Sequence, residues 1–310
     1  MSTLRIATRG SKLALWQAHH VRDRLVAAEP SLTVELVVLK TQGDRVLDRP
    51  LAEVGGKGLF VKEIEEALLD GRVDVAVHSL KDLPADLPAG LCLAVFPARE
   101  DPRDVLVSRG PARPASELPP RALVGTSSLR RSALLRAGRP DVRIAPIRGN
   151  VETRLAQLES GAFDAIILAR AGLRRLGLSP SGAADLSVEE FPPAVGQGIL
   201  AVEARATDGP VLEVLMALDD PRTRSAAEAE RAFLRRLGAG CHTPVAGHAR
   251  VAGDALSLHG LVASADASTV LRDSISGPAA AAEMLGQKLA EELLARGARR
   301  VLGEGQSGKV

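Results

Sequence analysis

The chain has 310 residues, of which 45% are hydrophobic, and this length is enough for two or three domains. Its formal net charge is only +2 and it contains one Trp, five Phe and no Tyr, so it lacks the strong positive charge and aromatic surfaces that are typical of nucleic-acid-binding proteins. The N-terminal segment has no apolar core of signal-peptide length, and no stretch approaches the roughly 18 apolar residues of a membrane span, so we expect a globular protein of the cytoplasm with no membrane or nucleic-acid partner.

Strand-like and helix-like stretches alternate through the first two thirds of the chain. Apolar spacing predicts strands at 4–8, 34–40 and 73–79, with helices at 11–27 and 58–71 between them. After a proline-dense stretch the same order returns, with strands at 122–125, 142–147 and 163–169 and helices at 127–138 and 150–161. Alternating strands and helices predict parallel sheets, whose ligands bind at the carboxyl ends of the strands.

The two copies of this pattern also share a short motif. Gly71 and Gly161 each end a predicted helix three residues before an aspartate, Asp74 or Asp164, that opens a hydrophobic strand. We therefore predict an α/β protein with two similar lobes that face a cleft.

The last third of the chain has a different pattern. Asp220 and Pro221 are expected to cap and begin a helix, and the short apolar runs after it predict an antiparallel three-stranded sheet and a C-terminal helix. The predicted organisation is lobe 1 at 1–98, lobe 2 at 99–192, a crossover strand and helix at 193–218 that return to lobe 1, and a small α+β domain at 219–310.

Several predicted strands end in groups that bind anions. Arg9 and Ser11 follow the first strand, and the segments 125–128 and 148–150 follow two later ones, each directly before a helix N-terminus that favours negative charge. Arg130, Arg131 and Arg154 lie in the first turns of two of these helices, and arginine pairs bidentately with carboxylates. Each motif alone is more typical of a capped helix with a solvated arginine, but their recurrence indicates a ligand with many carboxylates or phosphates.

Two further loops have candidate chemistry. The segment 55–60 lacks the spacing of a phosphate-binding loop, and it is either a mobile flap with Lys57 and Phe60 or an ordinary turn. The segment 78–84 follows a hydrophobic strand and contains His78, Lys81 and Asp82. An ionised Asp82 would stabilise a cationic transition state, although a capping turn has the same composition.

Two cysteines far apart give neither a disulfide framework nor the spacing of a metal site. Cys92 lies in an apolar strand. Cys241 lies in a glycine-rich loop just after a predicted helix ends, where the helix dipole does not lower a thiol pKa, so a redox role is disfavoured. Two interpretations stay open for Cys241: a packed structural residue, or an anchor that is alkylated once.

Eight segments, taken together, resemble the porphobilinogen deaminase family, also called hydroxymethylbilane synthases. They run in order along nearly the whole chain at 8–18, 55–69, 74–84, 125–135, 147–155, 167–177, 193–198 and 240–245. The resemblance implies two lobes like type II periplasmic binding proteins and a third domain with the cofactor cysteine.

The resemblance also implies an activity. Family members join four porphobilinogen molecules head to tail with loss of ammonia, on a dipyrromethane cofactor bound by a thioether to the cysteine that corresponds to Cys241, and release hydroxymethylbilane by hydrolysis. It further implies a monomer without a metal, with transient hand-over of the product to the next enzyme of tetrapyrrole biosynthesis.

By motif match, the resemblance assigns roles to fifteen residues of this chain. Asp82 corresponds to the catalytic carboxylate, and the flap residues are Lys57 and Phe60. The cofactor would be held by Lys81, Thr126, Ser128, Arg130, Arg131, Arg175 and Gln197. The substrate would be bound by Arg9, Ser11, Arg148, Asn150 and Arg154.

A different class of protein shares part of this pattern. A solute-binding or sensor module for a polycarboxylate ligand would have the same two lobes. Such a module would not need a third domain with a cysteine, and this difference favours the enzyme.

Overall fold

A computed structural model of the chain describes residues 3–41, 43, 61–240 and 243–303. The chain divides into two compact units, which we call unit 1 (Met1–Glu100 and Ile199–Arg224) and unit 2 (Asp101–Gly198 and Ser225–Val310). The limits of the four segments expected from the sequence stay a prediction. Within the described residues, no helix has the length and apolar character needed to cross a bilayer.

The described residues alternate between strands and helices for most of their length. The strands are β1 Thr3–Arg9, β2 Thr33–Leu39, β3 Val75–Ser79, β4 Leu91–Val95, β5 Asp104–Ser108, β6 Leu123–Gly125, β7 Arg143–Ala145, β8 Ala165–Ala169, β9 Ala183–Asp185, β10 Leu200–Arg205, β11 Val245–Ala252, β12 Ala255–Ala263 and β13 Val270–Pro278. The helices are α1 Lys12–Ala28, α2 Lys62–Leu69, α3 Leu129–Gly138, α4 Val151–Glu159, α5 Arg170–Arg175, α6 Gly209–Leu215, α7 Pro221–Leu237, α8 Ala282–Ala295 and α9 Ala298–Gly303.

Two five-stranded sheets form the α/β part of the fold. Sheet 1, in unit 1, has the order β2-β1-β3-β10-β4, and sheet 2, in unit 2, has the order β7-β6-β8-β5-β9. In each sheet four strands run in one direction and one runs in the opposite direction: β10 is antiparallel to its neighbours β3 and β4, and β5 is antiparallel to its neighbours β8 and β9. The expectation of wholly parallel sheets is therefore wrong, because the apolar pattern of a buried strand does not reveal its direction.

The aspartate of the Gly-to-Asp motif makes the same hydrogen bonds at the start of the parallel strands in both sheets. Asp74 accepts a hydrogen bond from the N–H of Arg5 at 2.8 Å and donates its own N–H to the Arg5 carbonyl at 3.0 Å. Asp164 makes the same two bonds with Leu123, at 2.8 and 2.9 Å. Each aspartate thus joins two neighbouring parallel strands. This shared role explains why the Gly-to-Asp motif occurs in both halves.

The faces of sheet 1 determine which side chains reach the candidate site. One face packs on α1 through Ile6 and Val77, and the other packs on α2 through Ala7 and Ala76. Because side chains alternate along a strand, His78 lies on the α2 face with Ala76. The imidazole of His78 is therefore on the side of α2, whereas Ser79 is on the side of α1.

The C-terminal part of unit 2 is the α+β domain that the sequence predicts. Its sheet has the order β11-β12-β13 and is antiparallel throughout. Helix α8 buries Leu285, Leu289 and Leu293 at helical spacing, whereas Met284 is 63% exposed. The predicted fold class, α/β lobes followed by a small α+β domain, is confirmed.

Because α8 packs closely on α7 at Gly286, we predict that a larger residue at this position lowers stability. A Cβ atom at this position would lie 2.9 Å from the Ala232 Cβ and 2.9 Å from the Phe233 backbone nitrogen, so Gly286→Ala overpacks the contact. We expect a loss of about 1–3 kcal/mol in the free energy of unfolding, measured by urea denaturation. The control is Gly138→Ala at the end of α3, where a Cβ meets nothing within 4 Å and the higher helix propensity of alanine should raise stability slightly. Equal stability of the two variants would contradict the packing described here.

Candidate functional site

A pocket in unit 1 brings three of the predicted site residues together. Arg9 ends β1, Ser11 precedes α1, and Asp82 lies on the short 3₁₀ turn Leu80–Asp82 after β3; all three line this pocket. Gln17, His78 and Ser79 complete its polar lining. We call it the Asp82 pocket. Lys81 is half-buried on the same turn and is not among the lining residues.

Hydrogen bonds fix the polar wall of the Asp82 pocket. The Ser11 hydroxyl caps α1 by accepting the N–H of Ala14 at 3.2 Å, which leaves its own proton available to a ligand. The Gln17 side chain donates to the Ser79 hydroxyl at 2.9 Å and so ties α1 to the end of β3.

The turn with Asp82 is anchored by a backbone hydrogen bond and by two buried leucines. The N–H of Leu80 donates to the Ile199 carbonyl at 3.0 Å, and both Leu80 and Leu83 are 2% exposed. The Asp82 carboxylate, between these two buried residues, is exposed. The anchored backbone therefore holds the Asp82 carboxylate at a well-defined position in the pocket. A negative charge fixed in this way can stabilise a cation that develops beside it.

Unit 2 contains a buried charge cluster at the start of β5, which we call the Asp104 cluster. Asp104 is 0% exposed; Arg131 donates to its Oδ1 from Nη2 at 2.7 Å and from Nε at 3.0 Å. Arg130 Nη1 forms an ion pair with Oδ2 at 2.7 Å and donates to the Pro192 carbonyl at 2.8 Å. The Arg130 guanidinium also lies 5.8 Å from the centre of the Phe191 ring, within cation–π range.

The Asp104 cluster has an excess of positive charge. Burial alone would raise the pKa of Asp104, but the charges of Arg130 and Arg131 and a hydrogen bond from Gln197 hold it well below the usual range of an aspartate. Burial lowers the pKa of the Arg130 guanidinium, and the Asp104 charge opposes this effect. One carboxylate thus faces two guanidinium groups, and Arg130 Nε is a buried donor with no hydrogen-bond partner among the described residues. Such a cluster fits an incoming carboxylate.

Two more predicted residues hold the loop beside the Asp104 cluster. Gln197 donates to the Pro102 carbonyl at 2.7 Å and to Asp104 Oδ1 at 3.0 Å. Arg175 Nη2 donates to the Gly198 carbonyl at 2.7 Å. Both side chains are buried, so in this structure they stabilise the loop 196–198 around the cluster.

The N-termini of α3 and α4 contain the remaining predicted residues of unit 2. Ser128 caps α3 by accepting the Arg131 N–H at 3.4 Å, and Thr126 lies buried just before it. Asn150 caps α4 by accepting the Thr153 N–H at 2.8 Å. These caps agree with the alternative interpretation of each motif as an ordinary capped helix. The first turn of each helix has further backbone N–H groups that lack an intrahelical partner.

Arg148 and Arg154 flank the Asn150 cap. Arg148 is half-buried at the end of the β7 loop, and Arg154 Nε donates to the Gly149 carbonyl at 2.9 Å. Gly149 has a φ of +104°, and a Cβ there would lie 2.7 Å from the Thr153 side chain, so only glycine fits this loop. The tight loop places both arginines in sequence beside the N-terminus of α4.

Three predicted residues fall outside the described part of the chain: Cys241, Lys57 and Phe60. In the part that is described, no group of three or more His, Cys, Asp or Glu is arranged to hold a metal ion. Asp104 is the central residue that the sequence analysis missed. Its only sequence signal is its position at the start of an apolar strand. Asp74 and Asp164 have the same position, but their role is purely structural, so the signal does not identify a site residue.

The charge balance of the Asp104 cluster generates a stability prediction. Asp104→Asn keeps the shape but removes the charge that compensates two buried guanidinium groups, and we expect it to lower the free energy of unfolding by about 3–5 kcal/mol in urea denaturation. Asp23→Asn, which breaks an exposed pair with Arg22, is the control and should change stability little. An Asp104→Asn variant as stable as the control would show that the cluster is not held by charge compensation.

Comparison with known proteins covers nearly the whole chain. Residues 4–213 match the family model "Porphobilinogen deaminase, dipyromethane cofactor binding domain", and residues 225–295 match "Porphobilinogen deaminase, C-terminal domain". The porphobilinogen deaminase of Syntrophotalea carbinolica is 53% identical over 97% of this chain and 95% of its own, and that of Pelobacter propionicus is 52% identical over 97% and 96%. The solved structure of the periplasmic aliphatic sulphonate binding protein SsuA from Escherichia coli is similar over 76% of this chain and 70% of that chain, at 17% identity and a TM-score of 0.40. The chain belongs to the porphobilinogen deaminase family.

Proposed function

We propose that this chain is a hydroxymethylbilane synthase, a transferase that joins four porphobilinogen molecules head to tail with loss of ammonia. The linear tetrapyrrole is released by hydrolysis, and the primer is a dipyrromethane cofactor bound by a thioether to Cys241. The observation that carries this proposal is the Asp104 cluster, where buried arginines exceed carboxylates within the segment that matches the cofactor-binding domain.

The cofactor fits the residues of unit 2. Each of its pyrrole rings has an acetate and a propionate, and these carboxylates would bind Arg130 and Arg131, whose charge Asp104 only half compensates. The Ser128 end of α3 would add backbone N–H donors, and Thr126, Gln197 and Arg175 would complete the set in unit 2. Lys81, which belongs to unit 1, stays a cofactor residue by motif match alone. When bound, the cofactor supplies the first pyrrole to which substrate is added.

The substrate is also a dicarboxylate, and a separate set of residues would bind it. In unit 1, Arg9 and Ser11 line the pocket that contains Asp82. In unit 2, Arg148 and Arg154 lie at the N-terminus of α4, where Asn150 is the cap and the helix dipole adds to their attraction. The flap residues that the family resemblance implies, Lys57 and Phe60, stay a prediction.

Asp82 would act on the step that releases ammonia. The bond between the aminomethyl carbon and its protonated nitrogen breaks, ammonia leaves with the electron pair, and the positive charge that remains on the ring system is shared with the pyrrole nitrogen. A fixed carboxylate at that N–H stabilises the cation more than the neutral ring. Asp82 is suited to this role because its turn is anchored while its carboxylate is exposed to the pocket.

The remaining expectations stay predictions from the sequence. They are the monomeric state, the cytoplasmic location and the transient hand-over of product to the next enzyme of the pathway. The alternative of a solute-binding module is not favoured, because the family match continues through the C-terminal domain at 225–295.

The attachment of the cofactor is tested by intact-protein mass spectrometry. The purified protein should be heavier than its sequence by one dipyrromethane, with the added mass on the peptide that contains Cys241, and Cys241→Ser should lack this mass. Cys92→Ser is the control; this thiol is half-buried on β4 and should not affect the adduct. An active protein with unmodified Cys241 would overturn the proposal.

The role of Asp82 is tested by single-turnover release of ammonia from porphobilinogen. Asp82→Asn keeps the size and loses the charge, so we expect a loss of on the order of 10²-fold or more, about 3 kcal/mol at the barrier. Asp82→Glu keeps the charge at a shifted position and should retain part of the activity.

Asp86→Asn, on the exposed loop after the turn, is the control for Asp82 and should release ammonia at the wild-type rate. Cofactor-loaded protein is used throughout, so that assembly of the cofactor does not limit the measurement. Normal release by Asp82→Asn would exclude this carboxylate from the mechanism.

A further inference from the structure

A buried acidic cluster lies on the α2 face of sheet 1 and has no part in the mechanism above. Glu203 is in the middle of β10 and is 0% exposed; its Oε2 is 3.0 Å from Nε2 of His78, which is 7% exposed. His78 pairs with Ala201 in the antiparallel register, so Glu203, two residues along, shares its face of the sheet. Glu65 of α2 is 8% exposed and acts on the same pair. We call these three residues the Glu203 cluster.

The cluster has more acceptors than donors. Glu203 Oε1 and Glu65 Oε1 are buried and have no hydrogen-bond partner among the described residues. His78 hydrogen-bonds to only one of the four carboxylate oxygens, Glu203 Oε2. A fold that needed only stability would place apolar side chains here, since buried charges with incomplete compensation cost stability.

The described charged and titratable groups on the elements around the cluster or in the adjoining pocket are Glu63 on α2, Arg205 on β10, Cys92 on β4, Arg224 near Cys92, and Arg9 and Asp82 in the pocket. Arg205 donates to the Leu68 carbonyl of α2 at 2.7 Å. Burial raises the pKa of the Cys92 thiol, and the nearby Glu203 carboxylate raises it further.

The cluster adjoins the Asp82 pocket through His78. His78 lines the pocket on one side and contacts Glu203 on the other. One residue before Glu65, Ile64 lines the same pocket from α2. The strand that contains His78 continues directly into the turn with Asp82, and the Leu80–Ile199 hydrogen bond extends its pairing with β10 to that turn.

We propose that the Glu203 cluster is an electrostatic positioning element of the active site, which places negative charge behind the Asp82 pocket and thereby stabilises the cation formed when ammonia leaves. The inference rests on the proposed function. Glu203 and Glu65 touch no substrate in this arrangement; they act through His78 and through the field that they create across a buried region of low dielectric.

The charge of the cluster depends on the pH. Burial raises the pKa of Glu65 to about 7, the nearby Glu203 charge raises it too, and the His78 imidazole opposes both. Above this pH Glu65 becomes ionised and the cluster gains a negative charge. The rate of ammonia release should therefore rise as the pH increases through about 7.

Glu65→Gln tests the proposal, because it removes the charge with little change of shape. At pH 8 we expect single-turnover ammonia release to fall about three- to tenfold below wild type, whereas at pH 6 the two rates should agree within about twofold. Glu65→Asp should recover part of the pH dependence. Glu66→Gln, an exposed neighbour on α2 that faces Lys62, is the matched control and should follow the wild-type profile.

A second measurement does not depend on activity. In the full-length protein, the ¹³C signal of the Glu65 side-chain carboxyl should titrate near pH 7 and be absent from Glu65→Gln. The raised pKa also means that the folded protein holds a proton that the unfolded chain loses above about pH 4.5, so wild-type stability should fall between pH 4.5 and 7. The melting temperature of Glu65→Gln, measured relative to that of wild type, should therefore increase as the pH rises from 5 to 8.

Each outcome decides a different question. A Glu65 signal that titrates below pH 5, or a Glu65→Gln profile that matches wild type at every pH, would overturn the role of the cluster. Wild-type protein that releases no ammonia from porphobilinogen at any pH would overturn the proposed function instead, while the ¹³C titration would still report the charge of the cluster.

Discussion

The ion pairs of Asp104 with Arg130 and Arg131 are the interaction on which the candidate cofactor site depends. Two guanidinium groups are buried in unit 2, and they stay charged there because one carboxylate compensates part of their charge. Asp104 also accepts a hydrogen bond from Gln197 and so fixes the neighbouring loop. Full compensation would have made a rigid structural core. Partial compensation leaves a rigid site that still attracts a carboxylate, which is the property that a cofactor with acetate and propionate groups requires.

Unit 1 uses the same principle with the opposite sign. Its buried Glu203 and Glu65 face one histidine, and above about pH 7, where Glu65 is ionised, we propose that their negative charge supports the pocket that contains Asp82. The reaction needs both signs, because porphobilinogen has two carboxylates that must be held and passes through a cation that must be stabilised. In the proposed function, arginines of both units would hold carboxylates and the acidic groups of unit 1 would stabilise the cation; charges that are in place before the reaction avoid reorganisation during it.

The sequence predicted the local features well and the long-range ones poorly. The caps at Ser11, Ser128 and Asn150 follow from side chains that bond their own helix, so a short window of sequence is enough to predict them. Asp104 and Glu203 could not be recognised in this way, because their partners lie on other elements of the fold. Strand direction was missed for a similar reason: the apolar pattern of β10 is the same whether the strand runs parallel or antiparallel to β3.

A crystal structure of the purified protein with its cofactor bound tests most directly whether the excess charge of the Asp104 cluster serves ligand binding. We predict a cofactor carboxylate within about 2.7–3.2 Å of Arg130 Nε or of a nitrogen of Arg131, with both ion pairs to Asp104 retained. A cofactor whose carboxylates contact neither arginine, while the Asp104 cluster stays as it is here, would show that these buried charges are structural and would contradict the function assigned to them.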